Sequence, residues 1–247
     1  MNNIFWIADT HFDHKNICFH AQRKAWLIPN PNYNPEIPYD IRINNPNITK
    51  LKEHNEDLIR FWNSRVSYND IVYIVGDFAW MNHDHFIGAL HGKKIMLIGS
   101  HDKMNQNTLR NFTEVNNMIQ RTINGRLYHI CHWAMRSWQG SFSHSSCNIY
   151  GHSHARMPEF DNMLAFDVGV DAHDFGPIPM EFIEYKVKTV LEYVKNNGIE
   201  AMDGEKGSLK TEFLSPQDRA NALRLKNLAM MRKIGIEPFV DENWNIK

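Results

Sequence analysis

Three cysteines, Cys18, Cys131 and Cys147, are all the chain has, and no two lie close in sequence. So odd and sparse a set cannot build a disulfide framework, and a reducing cytoplasm is the expected setting. Long apolar runs are missing too: no stretch approaches the ~18 residues of a membrane span, so no membrane partner is expected. The start, MNNIFWIADTHFDH, lacks a basic n-region and turns polar after Ala8, which does not read as a signal peptide. Charge of one sign is also lacking. The formal net charge is -1 over 247 residues, so no whole-chain basic field advertises nucleic acid or acidic membranes. Apolar residues make up 43% and charged residues 22%, ordinary for a globular protein with one main core.

Histidine, by contrast, is abundant: fourteen residues, several beside Asp or Gly. Five short apolar runs each end in such a cluster. Ile4–Ala8 leads to Asp9-Thr10-His11, Ile71–Val75 to Gly76-Asp77, and Ile95–Ile98 to Gly99-Ser100-His101-Asp102. Leu127–Cys131 leads to His132, and Asn148–Tyr150 to Gly151-His152-Ser153-His154. Short runs of this kind read as buried strands. Helical patterns fall between several of them, over Leu51–Trp62 and Asp84–Leu90, which indicates an α/β sheet. Function in such sheets collects beyond the carboxyl ends of the strands, where all five clusters sit.

The expected domain plan is a body over 1–190 and a helical extension over 191–247. Residues 20–50 are rich in Asn and Pro and cannot sustain a helix or central strand; they read equally as a lid or a passive insertion. Leu164–Val170 is a further strand candidate, and Met180–Val194 mixes helix and strand signals. Residues 203–208 resemble a linker. Ser215-Pro216-Gln217-Asp218 opens a helix that should run to about Ile234 and stop at Gly235, as a separate appendage with Lys and Arg on a solvated side. A homodimer contact through this extension is one expectation for partners.

Asp9 and His11 are spaced i, i+2, as are His152 and His154, and extended geometry would turn each pair to one face. Carboxylate and imidazole donors without Cys suit Mn, Fe, Zn or Ni rather than a structural zinc knuckle. Asp9, His11, Asp77, His132, His152 and His154 exceed what one tetrahedral ion needs; two ions sharing a carboxylate would use them all. Each motif taken singly is weak, for an Asp-x-His is most often a cap and a lone His a hydrogen-bonded core residue. Their joint order is the signal.

That order resembles the motif series of calcineurin-like metallophosphoesterases. More locally, Ala8-Asp9-Thr10-His11-Phe12-x-His14-Lys15-Asn16-Ile17, His132-Trp133-Ala134-Met135-Arg136 and Val168-Gly169-Val170-Asp171 resemble a small bacterial and phage-encoded branch. The likeness covers about residues 1–185. It implies two packed mixed β-sheets flanked by helices, a four-layer αββα sandwich, and a hydrolase acting on small phosphomono- or phosphodiesters, nucleotides or cyclic nucleotides among them. It implies two divalent ions, Mn²⁺ first, with Fe, Zn, Ni or Mg as alternatives. Asp9, His11 and His154 would hold one ion, His132 and His152 the other, and Asp77 would bridge them. His101 would be the general acid, oriented by Asp102. Where the family usually has a ligating Asn, this chain has Ser100, which puts the second site in question; where relatives often carry Pro it has Ala134, with only a loop effect expected. His14 and Arg136 are the candidates for contacting substrate phosphate. Trp133, Trp138 and Phe142 read more readily as core than as a base-stacking wall. A nuclease is the rival enzyme, disfavoured by the neutral charge, and a scaffold that has lost catalysis is the rival of another class.

Overall fold

The computed structural model describes residues 2–28, 50–197 and 215–247. Most of the Asn/Pro-rich stretch and the expected linker at 203–208 lie outside them. Strands β1 (Ile4–Ile7), β2 (Ile71–Val75), β3 (Lys93–Leu97), β4 (Glu114–Asn116) and β9 (Ile178–Pro179) form one sheet in the order β4-β3-β2-β1-β9. Its pairs are parallel except for β9, which runs antiparallel along the edge. The second sheet is β5 (Met118–Ile123), β6 (Arg126–Cys131), β7 (Ser146–Tyr150) and β8 (Ala165–Asp167), in sequence order. Its β5–β6 pair is antiparallel and the rest parallel. Both sheets are thus mixed, as the resemblance implied.

The apolar runs are unbroken because the first sheet is buried on both faces. Phe5, Ile7, Val72, Ile74 and Met96 pack in one core with the helical layer, while Trp6, Ala8, Tyr73, Val75, Ile95 and Leu97 pack in another. From the second sheet Tyr128, Ile130, Cys147 and Ile149 complete that second core. Two sheets therefore stack face to face. Helices α1 (Ile17–His20), α2 (Leu51–Arg65), α3 (His83–Ala89) and α4 (Gln106–Leu109) lie in the chain between the first strands. Leu58, Phe61 and Trp62 of α2, at the i, i+3, i+4 spacing of one helix face, seat it in the first core. On the far side of the second sheet the loop 133–145 forms the cover: His129 and Ser146 bond to the carbonyl of Gln139, and Asn148 accepts from the Met135 amide.

Three strands escape the sequence pattern. β4 is three residues long, and β9 is two residues with a proline tolerated at a sheet edge. β5 alternates exposure too weakly to stand out, though Asn124-Gly125 carries the signal, with φ of 50° and 79° in a two-residue hairpin turn.

The ambiguous 180–194 stretch is helix α5 (Met180–Asn197), with Met180, Ile183, Lys186, Val187 and Val190 buried at helical spacing. Helix α6 (Pro216–Lys233) begins as expected, the Ser215 hydroxyl accepting from the Asp218 amide, and ends at Gly235 in a left-handed turn. It is not a separate appendage. Met231 is fully buried in the inter-sheet core, and Asn227 donates to the carbonyl of Ala172. Nor are all its cations solvated: Arg224 is buried, lies 4.0 Å from the Trp244 ring centroid and donates to the carbonyl of Asp241. Among the described residues, no helix is long and apolar enough to cross a membrane.

Candidate metal centre

The loops after β1, β2, β3, β6 and β7 meet at one edge of the sandwich. Backbone hydrogen bonds lace them together. Asp9 and His11 donate to the carbonyls of Gly76 and Asp77, and Gly151 donates to that of His132, each at 3.0 Å. Ala8 also bridges the two sheets, donating to Val168 and accepting from Val170 at 3.0 Å each.

These loops do not use extended geometry. Asp9, His11, Asp77, His152 and His154 all have φ between 48° and 66°, in the left-handed region. Side chains at i, i+2 converge because the chain has turned sharply past the strand, not because a strand continues. Gly76, at φ 87°, lets the turn approach His132: a Cβ there would stand 2.3 Å from its Nδ1. Gly151 does the same against Asp9, where a Cβ would lie 2.8 Å from Oδ2.

Two groups of donors result. Asp9, His11 and His154 place ligand atoms within 4.8 Å of one another, and so do Asp77, His132 and His152. Asp77 Oδ2 lies between the groups, 3.6 Å from His11 Nε2 and 3.3 Å from His132 Nε2. Those two imidazole nitrogens are buried and have no hydrogen-bond partner. Orphaned buried nitrogens cost free energy, and a cation is the partner that a ring of lone pairs and carboxylates fits. The donor chemistry therefore suits divalent metal.

Electrostatics agrees. Burial pushes the Asp9 carboxyl up to about 7, despite the lowering pull of His154 and His132. Burial and the neighbouring His154 and Arg23 hold His11 well below the ordinary imidazole range. Burial opposes charge on His132 as well, but the Asp77 and Asp9 carboxylates lift it to about 9. The site thus asks for positive charge and takes it from a proton where it can.

The far nitrogens of two candidate ligands are pinned. His132 Nδ1 is 2.9 Å from the carbonyl of Val75, and His154 Nδ1 is 2.7 Å from Asp171 Oδ2. Each contact leaves Nε2 for an ion, the usual role of outer partners. Asp171 is in turn gripped by the fully buried Arg23, whose Nε and NH2 each donate at 2.8 Å. Arg23 also donates to the carbonyls of Asp9 and Thr10 and contacts His54 of α2. Neither Arg23 nor His54 was among the sequence candidates. Asp171 was, but only as part of a quoted motif.

Other candidates land differently. Among the described residues, no hydrogen bond joins the Asp102 carboxylate to the His101 ring. That carboxylate accepts from the amides of Asp77, Phe78 and Gly99 at 2.7–2.8 Å, clamping two ligand loops together. His101 stands at the rim, 46% exposed, with Nε2 4.0 Å from Asp77 Oδ2 and its amide donating to Asp77 Oδ1. His14 is beside it: the ring centroids are 6.5 Å apart, and His14 is 5.5 Å from His11. Burial, with His20 and His101 nearby, lowers His14 to about 4. Arg136 is exposed on the 133–145 loop, and among the described residues no hydrogen bond or ion pair ties it to the cluster. Of the aromatic trio, only Trp138 is core; Trp133 and Phe142 are exposed.

Ser100 is exposed, and its hydroxyl donates to the oxygens of Asp77 at 3.1 and 3.3 Å. It competes for a carboxylate rather than adding a donor to the second group. Ser100→Asn should add an amide oxygen there and tighten Mn²⁺ binding about tenfold, ~1.4 kcal/mol, read by isothermal titration calorimetry. An unchanged isotherm would refute this account of the serine.

Comparison with known proteins adds the fold. No family model matches the chain. The uncharacterized protein MJ1445 of Methanocaldococcus jannaschii is 25% identical over 193 residues, 74% of this chain and 90% of that protein. The crystal structure of the protein of unknown function AQ665 from Aquifex aeolicus superposes with a TM-score of 0.50 at 20% identity. It covers 74% of this chain and 98% of its own. That likeness shows the shared fold. A zinc-complexed Vps29 from Entamoeba histolytica aligns over 64% of this chain and 66% of its own at 13% identity, with a TM-score of 0.30, a level that carries no argument.

Proposed function

We propose that the chain is a metal-dependent hydrolase of phosphate esters. The observation that carries this reading is Asp77, whose carboxylate lies between two Asp/His groups and within 4.0 Å of a third imidazole, His101. In this reading Asp9, His11 and His154 hold one divalent ion, His132 and His152 a second, and Asp77 touches both. Mn²⁺ is the first choice, with Fe, Zn, Ni or Mg as alternatives. When bound, such ions acidify water and neutralise charge gathering on phosphate.

The chain's own residues do the rest. His101, at the rim and held through its amide by Asp77, gives its proton to the leaving alkoxide oxygen. Asp102 keeps the loop that carries it in register with Asp77. His14, half-buried beside His101, lines the approach. The fully buried Asp9 and His132 keep water from competing at the back of the site.

The test is an assay of the Mn²⁺-loaded protein on a phosphomonoester, a small phosphodiester and single-stranded DNA. The small esters are expected to be cleaved, and His101→Ala should lower kcat ~10²–10⁴-fold while metal content stays constant. Turnover untouched by His101→Ala would remove the general acid from the mechanism. Metal bound without hydrolysis of any ester would favour a scaffold, and cleavage of DNA alone a nuclease.

A further inference from the structure

Five of the seven tryptophans are buried or half-buried; the two exposed ones, Trp80 at 48% and Trp133 at 45%, both stand at the candidate site. They come in on ligand loops, Trp80 in the turn that follows Asp77 and Trp133 directly after His132. The Trp80 ring is 4.6 Å from that of His14 and 5.4 Å from that of His101. Trp133 is 5.3 Å from His132 and 6.5 Å from His152. The two indoles therefore border the two donor groups on separate sides: Trp80 beside the His14–His101–His11 rim, and Trp133 beside the second triad.

Backbone contacts hold Trp80 in place. Its amide donates to the carbonyl of Phe12 at 2.8 Å, next to the bridge between Phe12 and Ala79. The ring is thus presented to solvent by a fixed turn, although indole is a costly side chain to leave wet. A planar apolar face next to a centre for phosphate fits a planar apolar substituent on that phosphate.

We infer that Trp80 and Trp133 are the specificity residues of the site and that its substrate is a small phosphoester carrying a nucleobase, stacked on one or both indoles. The inference rests on the phosphoesterase reading and narrows it. The chain's formal charge of -1 favours a mononucleotide-sized ligand over a polymer, whose binding needs several phosphate-neutralising cations. Base stacking on an aromatic side chain is worth ~1–3 kcal/mol, about 5- to 150-fold in affinity.

The experiment titrates adenosine 5′-monophosphate and glycerol phosphate into the Mn²⁺-loaded full chain, followed by tryptophan fluorescence and calorimetry. Wild type is compared with Trp80→Ala, Trp133→Ala and Trp80→Phe, each first checked for an unchanged melting temperature. At least one Trp→Ala variant should lose about tenfold or more in affinity for the nucleotide and nothing for glycerol phosphate. If Trp80 is the platform, Trp80→Phe should recover most of the loss. Equal losses on both ligands, or none on either, overturn the inference. So does affinity that grows with oligonucleotide length, which would assign the surface to a polymer. Selective nucleotide binding without hydrolysis of any ester would uphold the stacking surface and sink the phosphoesterase reading instead.

Discussion

Asp77→Ala should abolish hydrolysis by the Mn²⁺-loaded protein, with turnover reduced ~10³-fold or more. The magnitude follows from position. The Asp77 carboxylate touches both donor groups through His11 and His132, accepts the Ser100 hydroxyl, and holds the amide of His101, the proposed proton donor. On the proposed reading, removing it subtracts a shared ligand and frees the His101 loop together. Three decades at about 1.4 kcal/mol each correspond to a loss of about 4 kcal/mol of transition-state stabilisation. Metal content measured by plasma mass spectrometry should fall with activity. Asp77→Asn is the companion variant, because Asn tolerates the left-handed backbone and keeps the shape. It should retain the fold, as judged by circular dichroism, and still lose most activity. If either variant stays within tenfold of wild type, metal-assisted hydrolysis at this centre is wrong.

Arg23→Met is expected to cost ~3–5 kcal/mol of folding stability, and to weaken Mn²⁺ binding ~10–100-fold. Arg23 is fully buried, and its guanidinium serves Asp171, two backbone carbonyls and His54. Methionine fills similar space but leaves Asp171 as a buried carboxylate with His154 as its remaining charge-bearing partner. At present the Arg23 and His154 charges outweigh burial and hold Asp171 well below the ordinary carboxylate range. A double variant, Arg23→Met with Asp171→Leu, removes the stranded charge and should regain part of the stability. It should not regain metal affinity, since His154 then has nothing to orient it. Urea unfolding and calorimetry on wild type, the single and the double variant separate the two effects. A stability loss under about 1 kcal/mol with unchanged affinity would show that the relay is ornamental.

That relay marks where reading the sequence stops. The convergence of Asp9, His11, Asp77, His132, His152 and His154 was legible because a strand buried on both faces reads as an apolar run, and an Asp or His right after it has few structural reasons to be there. Arg23 and Asp171 are 148 residues apart, and neither belongs to a periodic pattern that betrays the other. Asp102 was legible as part of the site but its contacts were not, since a carboxylate clamp on backbone amides leaves no trace in residue order. The α6 helix showed both its ends, through Ser215 and Gly235, yet not its docking. The apolar residues that seat it, Leu223, Leu228 and Met231, alternate with charged ones too irregularly to declare a face.

The left-handed turns that carry five of the six candidate ligands have an evolutionary side. Asp and His are among the non-glycine residues that enter this backbone region several-fold more often than others. Asp and His thus join ligating chemistry to an ease with this backbone that Gln22, Ala155, Phe175 and Trp244, in the same region, do not share. Drift toward a β-branched side chain at Asp9, His11, Asp77, His152 or His154 would meet two penalties in a single step, one chemical and one conformational. Few neutral paths lead out of such a position, so descendants of this chain should keep the turns longest where Asn or Gly can inherit them.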